Sequence, residues 1–241
     1  MQKISGFFPR FLKRRIKRLL YFGFSRYCPV CESRLRLFQP FGINPRQDAF
    51  CPVCESLERH RFAWQFLKQK TDLFDGESKR MLHVAPELEF EKKFKKVPSL
   101  DYLTADIRNP RAMAKIDITN NPYPTESFDV IFCSHVLQHV QDDRRGIGEL
   151  YRVLKNGGWA VFLEFIGHQE TVESRSERDA AERERLFGLH GYFRRYGPDF
   201  KDRLEESGFA AEVFKACEVV GQDNVVRMGV KDELIFFCRK S

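Results

Sequence analysis

Val130-Ile-Phe-Cys133, then a helical pattern over Asp142 to Leu154, then Trp159-Ala-Val-Phe-Leu-Glu-Phe165: this order of segments decides how the chain folds. Two short apolar runs joined by a helix read as parallel strands linked by a crossover. Working outward, Met81 to Ala85 and Tyr102 to Ala105 are further strand candidates, with a helical pattern at Glu87 to Lys95. The alternation predicts an α/β fold, a Rossmann-like and mostly parallel sheet that binds ligands at the carboxyl ends of its strands. The last two candidates, Ala211 to Lys215 and Glu233 to Arg239, are joined by a stretch without helical pattern and are expected to form an antiparallel hairpin edge.

Towards the amino terminus the strongest local signal is a repeated knuckle, Cys28-Pro-Val-Cys31 and Cys51-Pro-Val-Cys54, with nineteen residues between. That spacing suits a four-cysteine zinc site, and four protein ligands leave no open position, so the expected Zn2+ is structural. Its binding would stand in for the core that a forty-residue module cannot build. Leu35 to Phe50 is long enough for a short β-hairpin. The glycine usual after such a knuckle is replaced by Glu32 and Glu55. Ser56 to Thr71 then reads as a helix with Ser56 as N-cap and Arg59 at N3. The remaining cysteines, Cys133, Cys217 and Cys238, lie in apolar, strand-like runs and read as small core residues. Paired cysteines with an odd total of seven favour metal in a reducing compartment over a disulfide framework, so a cytoplasmic location is expected.

The 241 residues, 42% hydrophobic and 31% charged, suit one α/β domain and a small appended module, and no apolar run is long enough for a membrane-spanning helix. The net charge of +7 is local: the first thirty residues hold eight Lys or Arg and no acid. Phe7 to Phe24 interleaves these cations with Phe8, Phe11, Leu12, Ile16, Leu19 and Leu20, an amphipathic helical pattern. Peripheral membrane contact through residues 7–24, contact with nucleic acid, and packing of the apolar stripe on the protein body are the three readings it admits. Charges running through the segment argue against a signal peptide. The expected organisation is a basic segment (1–25), a zinc ribbon with linking helix (26–72) and an α/β domain (79–241).

Three elements recur in order: Asp117-Ile-Thr-Asn-Asn-Pro-Tyr-Pro-Thr-Glu-Ser-Phe-Asp129, then Val130-Ile-Phe-Cys-Ser-His-Val-Leu-Gln-His139, then Glu149-Leu-Tyr-Arg-Val-Leu-Lys-Asn-Gly-Gly-Trp159. On these, Lys79 to Ser241 resembles the class I S-adenosylmethionine (SAM) dependent methyltransferases of the type 11 kind. The resemblance implies SAM as cofactor and a role for each matching position. Asp106, with Ile107 beside it, would hold the ribose hydroxyls, and Asp117 with Ile118 the adenine. Ser134 would face the methionine moiety. Where the family has a glycine-rich loop this chain has His83-Val-Ala-Pro-Glu-Leu88, in which Ala85 alone is small and Pro86 lacks an N–H. Either Glu87 faces the cationic amine or sulfonium of SAM, or the cofactor site has decayed.

His135 and His139 follow the fourth strand and are the candidate bases. A charged helix expected over Glu173 to Arg185 and the aromatic-basic run that follows would form a lid, with His190, Tyr192 and Arg194 facing the acceptor. The acceptor expected is a small metabolite or glycan. The alternatives are an RNA methyltransferase that grips RNA with the ribbon and basic arm, and an inactive methyltransferase-like scaffold. Nothing in the sequence speaks to the oligomeric state.

Overall fold

The computed structural model describes residues 9–174, 180–187, 191–231 and 233–241. They fall into two compact units, one drawn from Met1–Asp72 and Lys215–Glu233, the other from Leu73–Phe214 and Leu234–Ser241.

In the first unit α1 (Arg10–Leu20) leads into β1 (Phe22–Cys28), which pairs antiparallel with β2 (Ser33–Leu35). The basic helix is therefore shorter than the expected segment, and its last turn abuts the strand that delivers Cys28. The hairpin expected between the knuckles is present as β3 (Gln39–Phe41) and β4 (Arg46–Phe50). Helix α2 (Glu58–Lys70) starts later than expected, with Leu57 as N-cap. The Leu57 N–H donates to His60 Nδ1 at 3.1 Å, so the first turn is closed from N3, and the Ser56 hydroxyl is left for the cysteines. Glu32 and Glu55, just past the two knuckles, have φ of 57° and 71°. The backbone keeps the left-handed turn for which glycine is the usual choice and accepts its strain.

Segment Lys215–Glu233, expected as a loop of the α/β domain, forms two helices, α7 (Ala216–Val220) and α8 (Gln222–Met228), and groups with the N-terminal residues. Helices of five and seven residues are too short to show a readable period. Cys217, expected in a strand, is exposed on α7. Arg61 explains the grouping. Its fully buried guanidinium donates to the carbonyls of Ala49 (2.9 Å), Asp48 (2.9 Å) and Ser56 (3.1 Å), and also to those of Met228 and Gly229 (3.1 Å), while lying 3.9 Å over the Phe38 ring. One cation thus satisfies five carbonyls from segments more than 160 residues apart in sequence.

The second unit is a seven-stranded sheet in the order β12-β13-β9-β8-β5-β6-β7. The strands are β5 (Lys79–Val84), β6 (Leu100–Asp106), β7 (Ala114–Lys115), β8 (Phe128–Ser134), β9 (Leu154–Leu163), β12 (Ala210–Lys215) and β13 (Leu234–Arg239). From β7 through β9 all pairings are parallel, and β13 is antiparallel to β9. The last two strands are neighbours at one end of the sheet, as the expected terminal pair requires, with β12 at the edge and β13 between it and β9. Val130–Cys133 and Ala160–Phe162 are fully buried, as strands covered on both faces must be. Helices α3 (Leu88–Phe94), α4 (Asp143–Val153) and α6 (Phe200–Glu206) follow β5, β8 and the post-β9 segment. Of the charged helix expected over 173–185, Val172–Glu173 is instead strand β10, paired with β11 (Arg194–Arg195). Helix α5 runs Ala180–Phe187. At the amino-terminal edge of the sheet the Asp129 carboxylate accepts the Arg80 N–H and the Lys155 ammonium, each within 3.0 Å, tying β5, β8 and β9.

Replacing Arg61 by Met should cost about 3 kcal/mol or more, because five carbonyls lose a buried donor. Urea denaturation measures the loss, and limited proteolysis should show cleavage within 215–233 first. A variant as stable and as resistant as the parent would contradict this account.

Candidate functional site

The order of strands reverses between β5 and β8, so the carboxyl ends of these two flank the switch point where ligands bind in such sheets. Ala85 follows β5 and has φ of 50°. The departure from the glycine-rich loop is thus one of residue type and not of backbone: alanine holds the left-handed conformation, at a strain on the order of 1–2 kcal/mol. Its N–H donates to Ala105 O at 2.8 Å, fastening the turn to β6. Glu87 is the N-cap of α3.

At the end of β6, Asp106 Oδ1 accepts the N–H groups of Arg108 and Asn109, both at 2.7 Å. Asp117 heads the 3-10 turn Ile118–Asn120, and its Oδ1 accepts the Thr119 N–H (2.9 Å) and hydroxyl (2.8 Å). Among the described residues the bonds of both carboxylates run through Oδ1. Ile107 is exposed, whereas the Ile118 side chain is buried in the core and leaves its backbone beside Asp117. Two anchored carboxylates beside strand ends are a donor set that fits a ribose diol and an adenine amine, so the residues present suit SAM. The turn after Asp117 is braced from α4. Glu149 accepts the Asn121 N–H at 3.0 Å, while Arg152 donates to the carbonyls of Asn121 and Tyr123, both at 2.9 Å, and pairs with Glu149 at 2.8 Å. Two of the motifs read separately in the sequence are thereby one bonded unit, and the Arg152 partner holds the Glu149 pKa below its usual value.

Ser134, buried, ends β8, and His135 follows with φ of 54°, its N–H on Leu163 O. His139 closes the next 3-10 turn, Leu137–His139. Its Nδ1–H donates to Gly191 O at 3.1 Å, and its ring meets the Tyr192 ring edge-on at 4.6 Å between centroids. This bond assigns the proton to Nδ1 and leaves the Nε2 lone pair for an acceptor group. Desolvation of the ring, joined by the Arg108 cation, holds the His139 pKa below the ordinary histidine value, against the opposing pull of the Gly191 bond. Of the expected lid residues, Tyr192 does stand at His139 and takes a bond from Gln138 Nε2 at 3.0 Å. Arg194 does not face an acceptor. It is buried, donating to the carbonyls of Leu137 (2.8 Å), Val140 and Gln141 (2.6 Å), with Asp143 and Glu173 as counter-charges at 3.4 Å. His190 lies outside the described residues.

Sequence reading missed Glu164. It follows β9, is buried, and through Oε1 accepts the N–H groups of Val136 (3.0 Å) and Leu137 (2.9 Å), which orients the turn bearing His139. The available signal was a lone acid inside the apolar run Trp159 to Phe165. Burial pushes its pKa up to about 8, against the two N–H bonds and Arg194.

In the first unit Cys28, Cys31, Cys51 and Cys54 bring their Sγ atoms within 4.8 Å of one another. Cys28 to Cys54 is 3.6 Å and Cys31 to Cys51 is 3.8 Å. These are no disulfides, and they match the edge of about 3.8 Å of a tetrahedron with Zn–S bonds of about 2.3 Å. Ser33 Oγ lies 3.2 Å from Cys31 Sγ, and Ser56 Oγ lies 3.2 to 3.3 Å from Cys54 and Cys28 Sγ, as hydroxyls that support metal-bound sulfur do.

Because the folded Glu164 pKa stands above its ordinary 4.5, its contribution to stability is full below that value and falls as pH rises through about 8. Glu164→Gln keeps an acceptor for both N–H groups and has nothing to ionise. Its melting temperature should fall less than the parent's between pH 4.5 and 8, and parallel curves would refute the assignment.

The family model described as a methyltransferase domain matches residues 78–162. A demethylmenaquinone methyltransferase of Clavibacter sepedonicus is 45% identical over 49 residues, 20% of either chain. A ubiquinone/menaquinone biosynthesis C-methyltransferase of Stenotrophomonas maltophilia is 48% identical over 44 residues, 18% of this chain and 17% of that one. The match thus spans about a fifth of the length of these curated relatives. In fold the chain is similar to the 1,6-didemethyltoxoflavin-N1-methyltransferase of Burkholderia thailandensis, solved with its substrate and S-adenosylhomocysteine. There the TM-score is 0.51 at 11% identity, over 76% of this chain and 78% of that one. A SAM-dependent methyltransferase of Mesorhizobium loti gives 0.50 at 17% identity, over 74% and 98%. Residues 78–162 thus match a methyltransferase domain, and the chain has the fold of methyltransferases solved from other organisms.

Proposed function

We propose that this chain transfers a methyl group from SAM to a small-molecule acceptor and that its N-terminal unit is held by one structural zinc ion. The observation that carries the first part is that Ser134, Ala85, Asp106 and Asp117 stand at or just past the carboxyl ends of four consecutive strands of the sheet, β8, β5, β6 and β7, a row that includes the switch point. Bound there, SAM would supply an electrophilic methyl group. The chain's own part is to hold the ribose through Asp106, to fix the adenine beside Asp117 and the Ile118 backbone, and to keep the acceptor aligned. His139, with Nδ1 committed to Gly191, offers Nε2 to take the acceptor's proton. A depressed pKa keeps that nitrogen unprotonated at neutral pH.

A hydroxylated aromatic ring is the acceptor class supported best. The quinone-related names of the short relatives support it, as does the edge of the Tyr192 ring beside His139, a wall suited to a flat apolar ligand. Loss of the phenolic proton to His139 would raise the nucleophilicity of the ring. For zinc, the support is the close set of four sulfurs with serine hydroxyls beside them.

Calorimetric titration with SAM tests the cofactor assignment. Asp106→Ala should weaken SAM at least about tenfold, since two charge-assisted bonds are lost. His139→Gln should leave SAM affinity within about twofold and lower turnover by two orders of magnitude or more. Equal losses in both variants would overturn the roles, and a parent that binds no SAM at millimolar concentration would overturn the function. Elemental analysis should find about one zinc per chain, and folded metal-free protein would remove the ribbon.

A further inference from the structure

The apolar stripe of α1 does not pack inward. Arg18 bonds Ser33 Oγ at 3.0 Å and the Cys31 carbonyl, and Lys17 reaches Glu55 at 3.5 Å, so it is cations that fasten the helix to the cysteine knuckles. Phe11 (66% exposed) and Leu19 (79% exposed) are left outside, and Ile16 and Leu20 are exposed with them. This reverses the packing expected of an amphipathic helix on a protein body.

The exposed apolar surface continues into β1. Phe22 and Phe24 are both exposed, and their rings meet edge-on at 5.2 Å. Cations border these rings: Arg36 lies 5.6 Å over Tyr21 and Arg34 lies 5.9 Å over Phe24. The first fifty residues hold eleven Lys or Arg and only two acids, Glu32 and Asp48, and Asp48 is paired with Arg26 at 2.8 Å.

We propose that α1 and the Phe22–Phe24 stretch of β1 form a docking face for an anionic lipid bilayer. The face has the composition of an interfacial segment: large apolar and aromatic side chains at the centre, arginine and lysine at the border, with the nearby Glu55 already paired to Lys17. Phosphate headgroups supply the counter-charge and the acyl boundary takes the apolar groups. RNA would meet the apolar centre of the face before its cations, which is the wrong order for phosphate recognition. A second copy of the chain would bring the same positive border against itself. Among the described residues no helix is long and apolar enough to cross a membrane, so the contact is peripheral.

Sedimentation of the full zinc-loaded chain with vesicles tests this. Equimolar phosphatidylglycerol and phosphatidylcholine should carry the protein down, pure phosphatidylcholine should carry at least about tenfold less, and added salt should weaken the first. The exposed-site triple variant Phe11→Ser, Leu19→Ser, Phe24→Ser should lose at least about tenfold in binding to the anionic vesicles. It should keep the parent's SAM titration and zinc content, so a folding failure is distinguished from a docking failure. Absence of binding to anionic vesicles, equal binding by the triple variant, or displacement of the protein from vesicles by single-stranded RNA would each overturn the proposal. So would a dimer that the same triple variant dissociates.

Discussion

A parallel sheet delivers its functional residues on loops that leave the hydrogen-bond ladder just where the chemistry begins, and every backbone group there needs another partner. In this chain the loop after β8 is satisfied from both sides by a buried carboxyl group and a buried guanidinium. Glu164 accepts the N–H groups of Val136 and Leu137, and Arg194 donates to the carbonyls of Leu137, Val140 and Gln141. Beyond the last strand bond, His135 N–H to Leu163 O, the segment carrying His139 is thereby pinned without a strand neighbour. Loss of either side chain would leave several buried backbone groups orphaned at once, which is why the position of His139 depends on residues 25 and 55 places further along.

The same solution recurs. Arg61 collects five carbonyls, Arg152 and Glu149 hold the turn after Asp117, and Asp129 gathers β5 and β9 at the far edge of the sheet. In each case a charged group bonds to backbone, where its partner cannot rotate away. These bonds trade desolvation of the ion for geometric definition, and definition is what a site that only aligns two reactants requires.

How far the sequence could be read follows from the range of the interactions involved. Strands β5, β6, β8 and β9 and helix α4 announce themselves by apolar runs and periodicity, and the cysteine pairs by repetition, since these signals are local. Asp106 and Ser134 were legible as strand-end positions once the strands were placed, whereas Asp117 rested on the family resemblance alone, since the two-residue β7 before it has no readable pattern. Arg194 was misread because an arginine among aromatics looks like a lid residue until its three carbonyl partners, more than fifty residues away, are known. Glu164 was passed over for the same reason. Helices α7 and α8 fall below the length at which a period can be read, and the burial of their segment with residues from the other end of the chain has no local mark. The outward face of α1 was one of several readings, because an amphipathic pattern shows that a helix has two faces without showing which one turns to the protein.

The bonds from Arg61 to Met228 and Gly229 bear on how this chain comes into being. Synthesis proceeds from the amino terminus, so the knuckles and α2 leave the ribosome early, while the carbonyls that complete the shell of Arg61 arrive some 160 residues later. Until then a guanidinium destined for full burial lacks two of its acceptors, and the N-terminal unit has no finished interior. Strands β5 to β12 are made in that interval, whereas β13, which lies between β9 and β12, follows residue 228. Both units thus wait on the last stretch to be made: a nascent chain cut short before residue 228 would lack β13 as well as the carbonyls that close the shell of Arg61.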